Sequence, residues 1–489
     1  MATLIKNGTL ITASETFESD ILIENETISK IGKNLQHPKA DFIDATGKLI
    51  MPGGVDPHVH LDLPMFDTVS SDDHYTGHKA AAFGGTTTVM DFVVFDSPSR
   101  STPVGLPEGE GAEVREFDFQ YSVDVWMKKA EKAAIDYSFH MNLTQFNDRL
   151  AKEIPSLMKM GIQTLKIFTA YNGRLRIDDG SIFKAMQIAR ENGMLVMAHC
   201  ENGDVIETLT EQALMAGHTS PEWHALTRPA WGAVEAGLRV AGMASAADAS
   251  AYIVHMNAGG EVDILKYARE RGVKVMGETC PQYLFFTIDD LCKPDGAKWI
   301  CSPPMRTKDD NARLWEGLSE GILQTVGTDH CPFYFDGTKP IVYEGSEIAI
   351  PGKELGKDDF TKIPNGLPGI QDRMPVLWTL GVNTGRITAN QFVAYMSTNP
   401  AKIFGLYPRK GALMEGSDAD IVIWDAEKEV KYGVGMSHQR TDYNLYEGWE
   451  LTGYPEKVFL RGQLIVDGNE WKGRRGMGQF LKRDEGEVL

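Results

Sequence analysis

The segment GVDPHVH at 54–60 marks the point where the pattern of the chain changes. Before it, short segments rich in Ile, Leu and Thr and broken by Gly, Asn and Asp predict β-strands over the first ~50 residues. From Gly54 onward, apolar runs of strand length alternate with helical patterns. This heptapeptide is therefore predicted to be the first strand of an α/β domain.

Eight apolar runs of this kind follow one another. Helical patterns lie between most of them, including one that follows the Ser70/Ser71 cap and ends at Gly84–Gly85, and another over 181–192. Eight strands alternating with helices predict a (β/α)8 TIM barrel, and the residues beyond the usual ~250 predict a further domain. The predicted barrel strands are 54–60, 86–92, 137–143, 164–170, 195–200, 251–256, 273–279 and 324–329.

Strand patterns return near the C-terminus, in ADIVIWD (419–425) and KVFLRGQLIVDG (457–468). We expect both chain termini to build one small β-sandwich domain that brackets the barrel. The predicted division is 1–53 plus 408–470 for the small β domain, 54–407 for the barrel, and 471–489 for a peripheral tail that could contact another subunit. The Gly/Pro/Glu-rich stretch at 99–117 is predicted to be a long loop after the second barrel strand.

The bulk composition excludes several classes of partner. Lys and Arg number 49 against 68 Asp and Glu, and the net charge of −19 argues against nucleic acid or an anionic membrane as the main partner. No apolar run is long enough to span a bilayer, and the segment MATLIKNGTLI, which lacks a long apolar region followed by a small-residue cleavage site, leads us to expect no export signal. Five cysteines without CxxC spacing indicate reduced thiols, so we expect a cytoplasmic enzyme.

The segment TLKIFTAYNG at 164–173 places a lysine inside an apolar run. Alternation along a strand puts Lys166 on the face of Phe168 and Ala170, away from water. An unpaired buried ammonium is costly, and its pKa tends to fall. Three interpretations are open: the amine extends to reach solvent, it is a nucleophile, or it is converted to another group.

Polar side chains recur at the C-terminal ends of the predicted strands, where barrel enzymes carry their active sites. His58 and His60 leave the same face of the first strand. Imidazole and carboxylate ligands suit zinc, manganese, iron or cobalt. A neutral lysine can also react with CO2, and the resulting carbamate could bridge two metal ions. The six side chains are His58, His60, Lys166, His199, His255 and Asp329.

Five segments together resemble the amidohydrolase superfamily, specifically its dihydropyrimidinase/hydantoinase branch. The resemblance runs from about residue 3 to the FLKR of the tail and is supported by IPNGLPGIQDR at 363–373. The five segments are GVDPHVH (54–60), TLKIFTAY (164–171), AHCENGD (198–204), VHM (254–256) and GTDHCPF (327–333).

The resemblance implies a site with two divalent metal ions, Zn²⁺ first, with Mn²⁺, Co²⁺ or Fe²⁺ as alternatives. It implies that His58, His60 and Asp329 bind the more buried ion and that His199 and His255 bind the outer one. Lys166, carboxylated on Nζ (N6-carboxylysine), would bridge them. A small-molecule cyclic ureide substrate, a role in pyrimidine degradation and a homo-oligomer, dimer or tetramer, are further implications.

The implied reaction is hydrolysis of the ring amide of a dihydropyrimidine or hydantoin to an N-carbamoyl amino acid, with a hydroxide shared by the metals as nucleophile. Asp329 would pass a proton from the attacking oxygen to the leaving ring nitrogen, and Tyr171 would hydrogen-bond the oxyanion. Ser302 and Asn365 would hold the ureide edge, largely through their backbone. Segment 256–260 and the loops at 61–73 and 93–117 depart from the pattern, so they could reshape the pocket.

Four other functions fit parts of the pattern. Allantoinase and dihydroorotase are close alternatives in the same superfamily. A barrel lysine could also form a Schiff base, although the four barrel histidines then have no role. The collapsin response mediator proteins share the fold as scaffolds without metal ligands, whereas every ligand position is filled here.

Overall fold

The computed structural model describes residues 2–65, 68–94, 119–343 and 345–489. It has one eight-stranded parallel sheet, one nine-stranded sheet and two short hairpins. The strands are β1 (Ala2–Ile11), β2 (Thr16–Glu24), β3 (Thr27–Gly32), β4 (Asp41–Asp44), β5 (Leu49–Pro52), β6 (Gly54–Val59), β7 (Pro64–Met65), β8 (Thr68–Val69), β9 (Thr86–Val93), β10 (Asp136–Asn142), β11 (Thr164–Phe168), β12 (Leu195–His199), β13 (Ala251–Ile253), β14 (Val275–Thr279), β15 (Thr325–Val326), β16 (Ile341–Tyr343), β17 (Ser346–Ile348), β18 (Ile421–Lys431), β19 (Glu450–Leu460), β20 (Gln463–Asp467) and β21 (Glu470–Trp471).

The α-helices lie between the barrel strands and after the last of them. They are α1 (Thr76–Phe83), α2 (Phe119–Lys129), α3 (Asp148–Glu153), α4 (Ser156–Met160), α5 (Asp179–Glu191), α6 (Gly203–Met215), α7 (Glu222–Leu226), α8 (Ala230–Ala247), α9 (Gly259–Arg269), α10 (Pro281–Phe285), α11 (Ile288–Leu291), α12 (Lys308–Ser319), α13 (Arg373–Leu377), α14 (Ala389–Val393) and α15 (Asn399–Ile403).

The predicted (β/α)8 barrel is confirmed. Strands β6 and β9 to β15 pair in parallel in chain order. The first and last strands meet where residues 58–60 bond to residues 329–330: the Asp329 amide donates to the His58 carbonyl at 2.9 Å, and the His60 amide to the His330 carbonyl at 2.7 Å. The seam of the barrel is therefore made by residues of the candidate site.

Three barrel strands end two or three residues earlier than predicted, and two of the predicted ranges contain a residue with a left-handed backbone. Residues Tyr171, His255 and Asp329 have φ angles of +66°, +40° and +53°, in the left-handed region that only a few per cent of non-glycine residues adopt. A strand cannot continue through such a residue. The predicted strands 251–256 and 324–329 include His255 and Asp329 and are shortened to β13 and β15, whereas 164–170 is shortened to β11 although Tyr171 lies beyond its predicted end.

The first predicted helix is confirmed at its end and corrected at its start. Helix α1 ends before Gly84, as expected, but Ser70 and Ser71 do not cap it. Asp73 does so instead, because its Oδ1 accepts the amides of Tyr75 and Thr76 at 2.7 and 2.9 Å. A carboxylate at this place satisfies amides that have no partner within the helix.

Both termini contribute to the second sheet, as predicted. Strand β5 pairs antiparallel with β18, which joins the N-terminal strands to the C-terminal ones. One apolar cluster runs across the strands of both halves, with Ile5, Ile50 and Ile421 fully buried in it. Fully burying such a side chain contributes about 1.5–3 kcal/mol, so this cluster holds the two halves together.

The tail packs against its own barrel. Tyr137, at the start of β10, donates its amide to the Gln479 carbonyl at 3.0 Å and accepts the Leu481 amide at 2.7 Å. Leu481 is fully buried, and the Arg483 amide donates to Gly161 at 3.1 Å. The tail therefore covers the N-terminal end of the barrel, opposite the candidate site, and a contact with another subunit stays a prediction.

Two sequence features lie outside the described residues: the predicted loop at 99–117, and Phe66 in the first barrel loop. Within the described ranges, no helix combines the length and apolarity that crossing a membrane requires.

Candidate metal centre

The predicted ligands converge at the C-terminal ends of the barrel strands. One nitrogen each of His58 and His255 and an oxygen of Asp329 all lie within 4.8 Å of one another. Asp329 Oδ1 is 3.1 Å from Nε2 of both His58 and His60. His199 Nδ1 lies 3.0 Å from His255 Nε2. Four imidazoles and one carboxylate thus form a continuous group.

A buried carboxylate orients His58. Glu278, at the end of β14, accepts a hydrogen bond from His58 Nδ1 at 2.7 Å. It also accepts from the Tyr252 hydroxyl at 2.9 Å and from the His255 amide at 3.1 Å. The bond at Nδ1 turns Nε2 toward Asp329, which is the arrangement that metal-binding histidines use.

The charge balance at His58 favours a cation. Burial lowers the pKa of His58, but the carboxylates of Glu278 and Asp329 outweigh it and raise the pKa to about 9. These two carboxylates therefore stabilise a positive charge at the Nε2 edge of the ring, whether a proton or a metal ion supplies it.

The second histidine pair has its own carboxylate. Glu201 Oε2 accepts from His199 Nε2 at 2.9 Å. The neutral ring then carries its lone pair on Nδ1, which faces His255. Burial lowers the pKa of both His199 and His255, so both rings are neutral and able to act as ligands at neutral pH.

Lys166 lies inside the barrel, and the interpretation that it reaches solvent is wrong. Its side chain is 2% exposed, and Nζ lies 5.2 and 5.4 Å from the ring centroids of Phe92 and Phe168. Across the described residues it has no ion-pair partner. Burial lowers the pKa of the amine to about 8, which makes the neutral, CO2-reactive form accessible near neutral pH.

Tyr171, Ser302 and Asn365 lie at the edge of this group. The Tyr171 ring is 5.2 Å from the His199 ring, centroid to centroid, and burial raises the pKa of its phenol, which keeps the proton in place. Asn365 Nδ2 donates to Ser302 Oγ at 3.1 Å. The structure thus brings all of the predicted site residues to one end of the barrel.

Sequence reasoning missed Glu278, Glu201 and His224. Glu278 lies near the end of β14, one of three barrel strands for which no site residue was predicted, so a carboxylate at a strand end was the available signal. Glu201 follows His199 by two residues. His224 is buried, and its Nε2 is 2.8 Å from the Cys301 carbonyl and 3.2 Å from Ser302 Oγ.

The residues present fit a pair of divalent metal ions. The donor set is imidazole and carboxylate, two of its histidines are oriented by buried carboxylates, and a buried amine lies among them. By contrast, His140 uses both ring nitrogens, on Thr164 at 2.6 Å and on the Pro57 carbonyl at 3.0 Å, so it has none left for a metal.

Glu278→Gln is expected to weaken metal binding about 10- to 100-fold, because the amide loses the charge that orients and polarises His58. Titration of the demetallated variant with Zn²⁺ measures the affinity. Glu270→Gln, an exposed change at the end of α9, is the matched control. Unchanged affinity in Glu278→Gln would show that His58 needs no orienting carboxylate.

Comparison with known proteins finds relatives that are similar to this chain over nearly its whole length. Residues 49–465 match the model of the Amidohydrolase family. A D-hydantoinase of Geobacillus stearothermophilus is 43% identical over 487 residues, which covers 99% of this chain and 97% of that protein. A D-hydantoinase of Streptomyces coelicolor is 41% identical over 489 residues, covering 98% of each. The crystal structure of a dihydropyrimidinase from Brevibacillus agri has a TM-score of 0.92 and 43% identity, covering 100% of both chains.

Proposed function

Because this chain belongs to the amidohydrolase family and is a hydrolase that acts on cyclic amides, we propose a finer assignment. The protein is a binuclear metal-dependent cyclic amidase that opens hydantoin and dihydropyrimidine rings to N-carbamoyl amino acids. The names of its relatives support the D enantiomers of 5-substituted hydantoins as substrates.

Each ligand has an assigned place in this proposal. His58, His60 and Asp329 would hold one ion, His199 and His255 would hold the other, and carboxylated Lys166 would supply an anionic ligand to the pair. When bound, the two ions, Zn²⁺ by preference, supply hydroxide at neutral pH by lowering the pKa of water toward about 7.

The remaining chemistry belongs to the chain's own side chains. Asp329 takes the proton from the attacking oxygen and delivers it to the leaving ring nitrogen. Burial favours its protonated form, but the charge of His58 and hydrogen bonds from His58 and His60 hold the pKa of Asp329 well below its usual range. It is therefore ionised at neutral pH, which is the state in which a carboxylate can act as a proton acceptor.

Tyr171 donates to the oxygen that becomes negative as the ring carbonyl is attacked. Its phenol stays protonated at neutral pH because burial raises its pKa. Ser302 and Asn365 hold the ureide edge through their backbone groups, which leaves their side chains free to bond each other. Such preorganised donors act mainly in the transition state.

The observation that carries this proposal is the position of Lys166: a buried amine without a carboxylate ion pair among the described residues, close to the group formed by His58, His60, His199, His255 and Asp329. A carbamate would make that position chemically reasonable, because it would replace an isolated cation with an anion that divalent metal ions could bind.

The test combines metal quantitation with a panel of rings. We expect two metal ions per chain and ring opening of 5,6-dihydrouracil, hydantoin and D-5-phenylhydantoin, with the L enantiomer slower. Turnover of only allantoin or dihydroorotate would reassign the substrate. Metal-free, inactive protein would favour a scaffold, and borohydride trapping of a carbonyl compound on Lys166 would favour a Schiff base.

Assembly and location are further parts of the proposal. We propose a cytoplasmic homo-oligomer, a dimer or a tetramer, as the resemblance implies. Light scattering on the purified, metal-loaded protein measures the subunit number, and a monomer would contradict this part without affecting the chemistry.

Tyr171→Phe is expected to lower kcat by about 100- to 1,000-fold, or roughly 2.7–4 kcal/mol, because one oxyanion donor is lost. Metal content should stay at the wild-type level, since the phenol is not a ligand. Tyr267→Phe, which changes a half-exposed tyrosine on α9, is the matched control. Turnover near the wild-type rate would mean that the Tyr171 phenol only packs.

A further inference from the structure

A second buried lysine lies outside the metal centre. Lys353 begins a short 3₁₀ turn (Lys353–Gly356) after the β16–β17 hairpin, and it is 1% exposed. Its Nζ donates to the Ile300 carbonyl at 3.0 Å and to the Pro364 carbonyl at 3.1 Å. It has no carboxylate partner in the part of the chain that the structure describes.

The two carbonyls belong to the two loops that carry the proposed ring-binding residues. Ile300 lies two residues before Ser302, and Pro364 immediately precedes Asn365. The loops also bond each other directly: the Gly366 amide donates to Ile300 at 3.2 Å, and Asn365 Nδ2 to Ser302 Oγ at 3.1 Å. Lys353 therefore adds a third connection between them.

The segment that carries Lys353 is itself held firmly. The Lys353 amide donates to the Tyr334 carbonyl at 2.8 Å, and Thr68 in the first barrel loop donates its hydroxyl to the Pro351 carbonyl. A Cβ placed on Gly352 would lie 2.1 Å from the Tyr334 oxygen, so only glycine fits this approach. The lysine thus projects from a fixed backbone.

Burying the Lys353 amine costs free energy, so its presence is not explained by a gain in the stability of the fold. Burial lowers the pKa of Lys353 to about 7. Either protonation state keeps at least the two N–H groups that the two carbonyls require. An apolar side chain of similar length would avoid the burial cost but leave both loops without this donor.

We propose that Lys353 is a positioning residue for the substrate: its amine sets the spacing between the Ser302 and Asn365 loops so that both meet the ureide edge of the ring together. The inference rests on the proposed function, because it assigns Lys353 to the binding of the ring in that site. Lys353 does not touch the reacting atoms, so its effect falls on binding and alignment.

Lys353→Met in the metal-loaded enzyme tests this proposal, because it keeps the stem and removes the donors. We expect KM for hydantoin and 5,6-dihydrouracil to rise about tenfold or more, kcat to change less than KM, and metal content to stay unchanged. Lys362→Met, at a 69% exposed side chain nine residues further on, is the matched control with wild-type kinetics. Lys353→Arg, which retains N–H donors, should have a KM between those of Lys353→Met and the wild type.

A double-mutant cycle with Asn365→Ala separates positioning from a merely structural role. If Lys353 acts through the two loops, the double variant should raise KM by a factor that differs from the product of the two single factors. Independent effects would give that product, because their free energies add. Lys353→Gln replaces Lys353→Met if the latter does not fold. The inference is overturned if Lys353→Met leaves KM unchanged, or if the KM factor of the double variant equals the product of the two single factors. A wild-type protein that opens none of the rings would instead refute the proposed function, so the two failures are distinguishable.

Discussion

If the proposed function holds, Lys166→Ala is expected to abolish ring opening, with a loss of more than about 10³-fold, because the proposed metal ions would lose a shared anionic ligand and water would no longer be activated. Metal content should fall below two ions per chain. The truncated side chain leaves room among Phe92, Phe168 and the histidines. Short carboxylic acids, such as acetate or propionate, should therefore restore part of both metal content and activity.

The control for this change is Lys184→Ala, an exposed lysine on α5, which should keep full activity. Carbon-13 NMR of wild-type protein prepared with labelled bicarbonate should give a carbamate signal that Lys166→Ala lacks. A Lys166→Ala protein that keeps both metal ions would refute the bridging role. A wild-type protein with metal but no carbamate signal would do the same.

Asp329→Asn is expected to lower kcat by about 10²–10⁴-fold, because an amide cannot accept the proton that the carboxylate transfers in the proposed reaction. The backbone should tolerate the change, since Asp329 has a φ of +53° and asparagine adopts this left-handed region readily. The amide oxygen can still face His58 and His60. The expected result is therefore a protein that folds and retains part of its metal but hardly turns over.

Steady-state kinetics at saturating metal, with metal content measured on the same samples, checks this prediction. Asp358→Asn, an exposed aspartate near Lys353, is the matched control. If Asp329→Asn with full metal content turned over within tenfold of the wild-type rate, Asp329 would be a ligand only, and another group would have to carry the proton.

Most of the architecture could be predicted from local patterns. Strand periodicity and turn residues located all eight barrel strands, and the barrel rule placed their C-terminal ends at one face. The predictions failed where the backbone leaves regular geometry. At His255 and Asp329 the left-handed φ ends each strand early, and periodicity of side-chain polarity carries no information on that angle.

The start of α1 shows a second kind of limit. Ser70 and Ser71 are suitable cap residues in sequence, but Asp73 lies where its carboxylate can reach the free amides of Tyr75 and Thr76. Several residues in a row were chemically able to cap the helix. Only the path of the chain into the helix selected one of them.

By itself, the sequence determined the barrel, the residue types at its strand ends and the presence of a lysine that alternation turns away from water. Side-chain alternation repeats every two residues and the polar residues recur once per strand, so both can be predicted from short segments of sequence. Only the tertiary structure decided which partners complete each group. Glu278 reaches His58 across 220 positions of the chain, and Lys353 joins loops at Ile300 and Pro364. Such bonds depend on how closure of the barrel brings distant loops together, and the periodicity of short sequence segments does not predict those contacts.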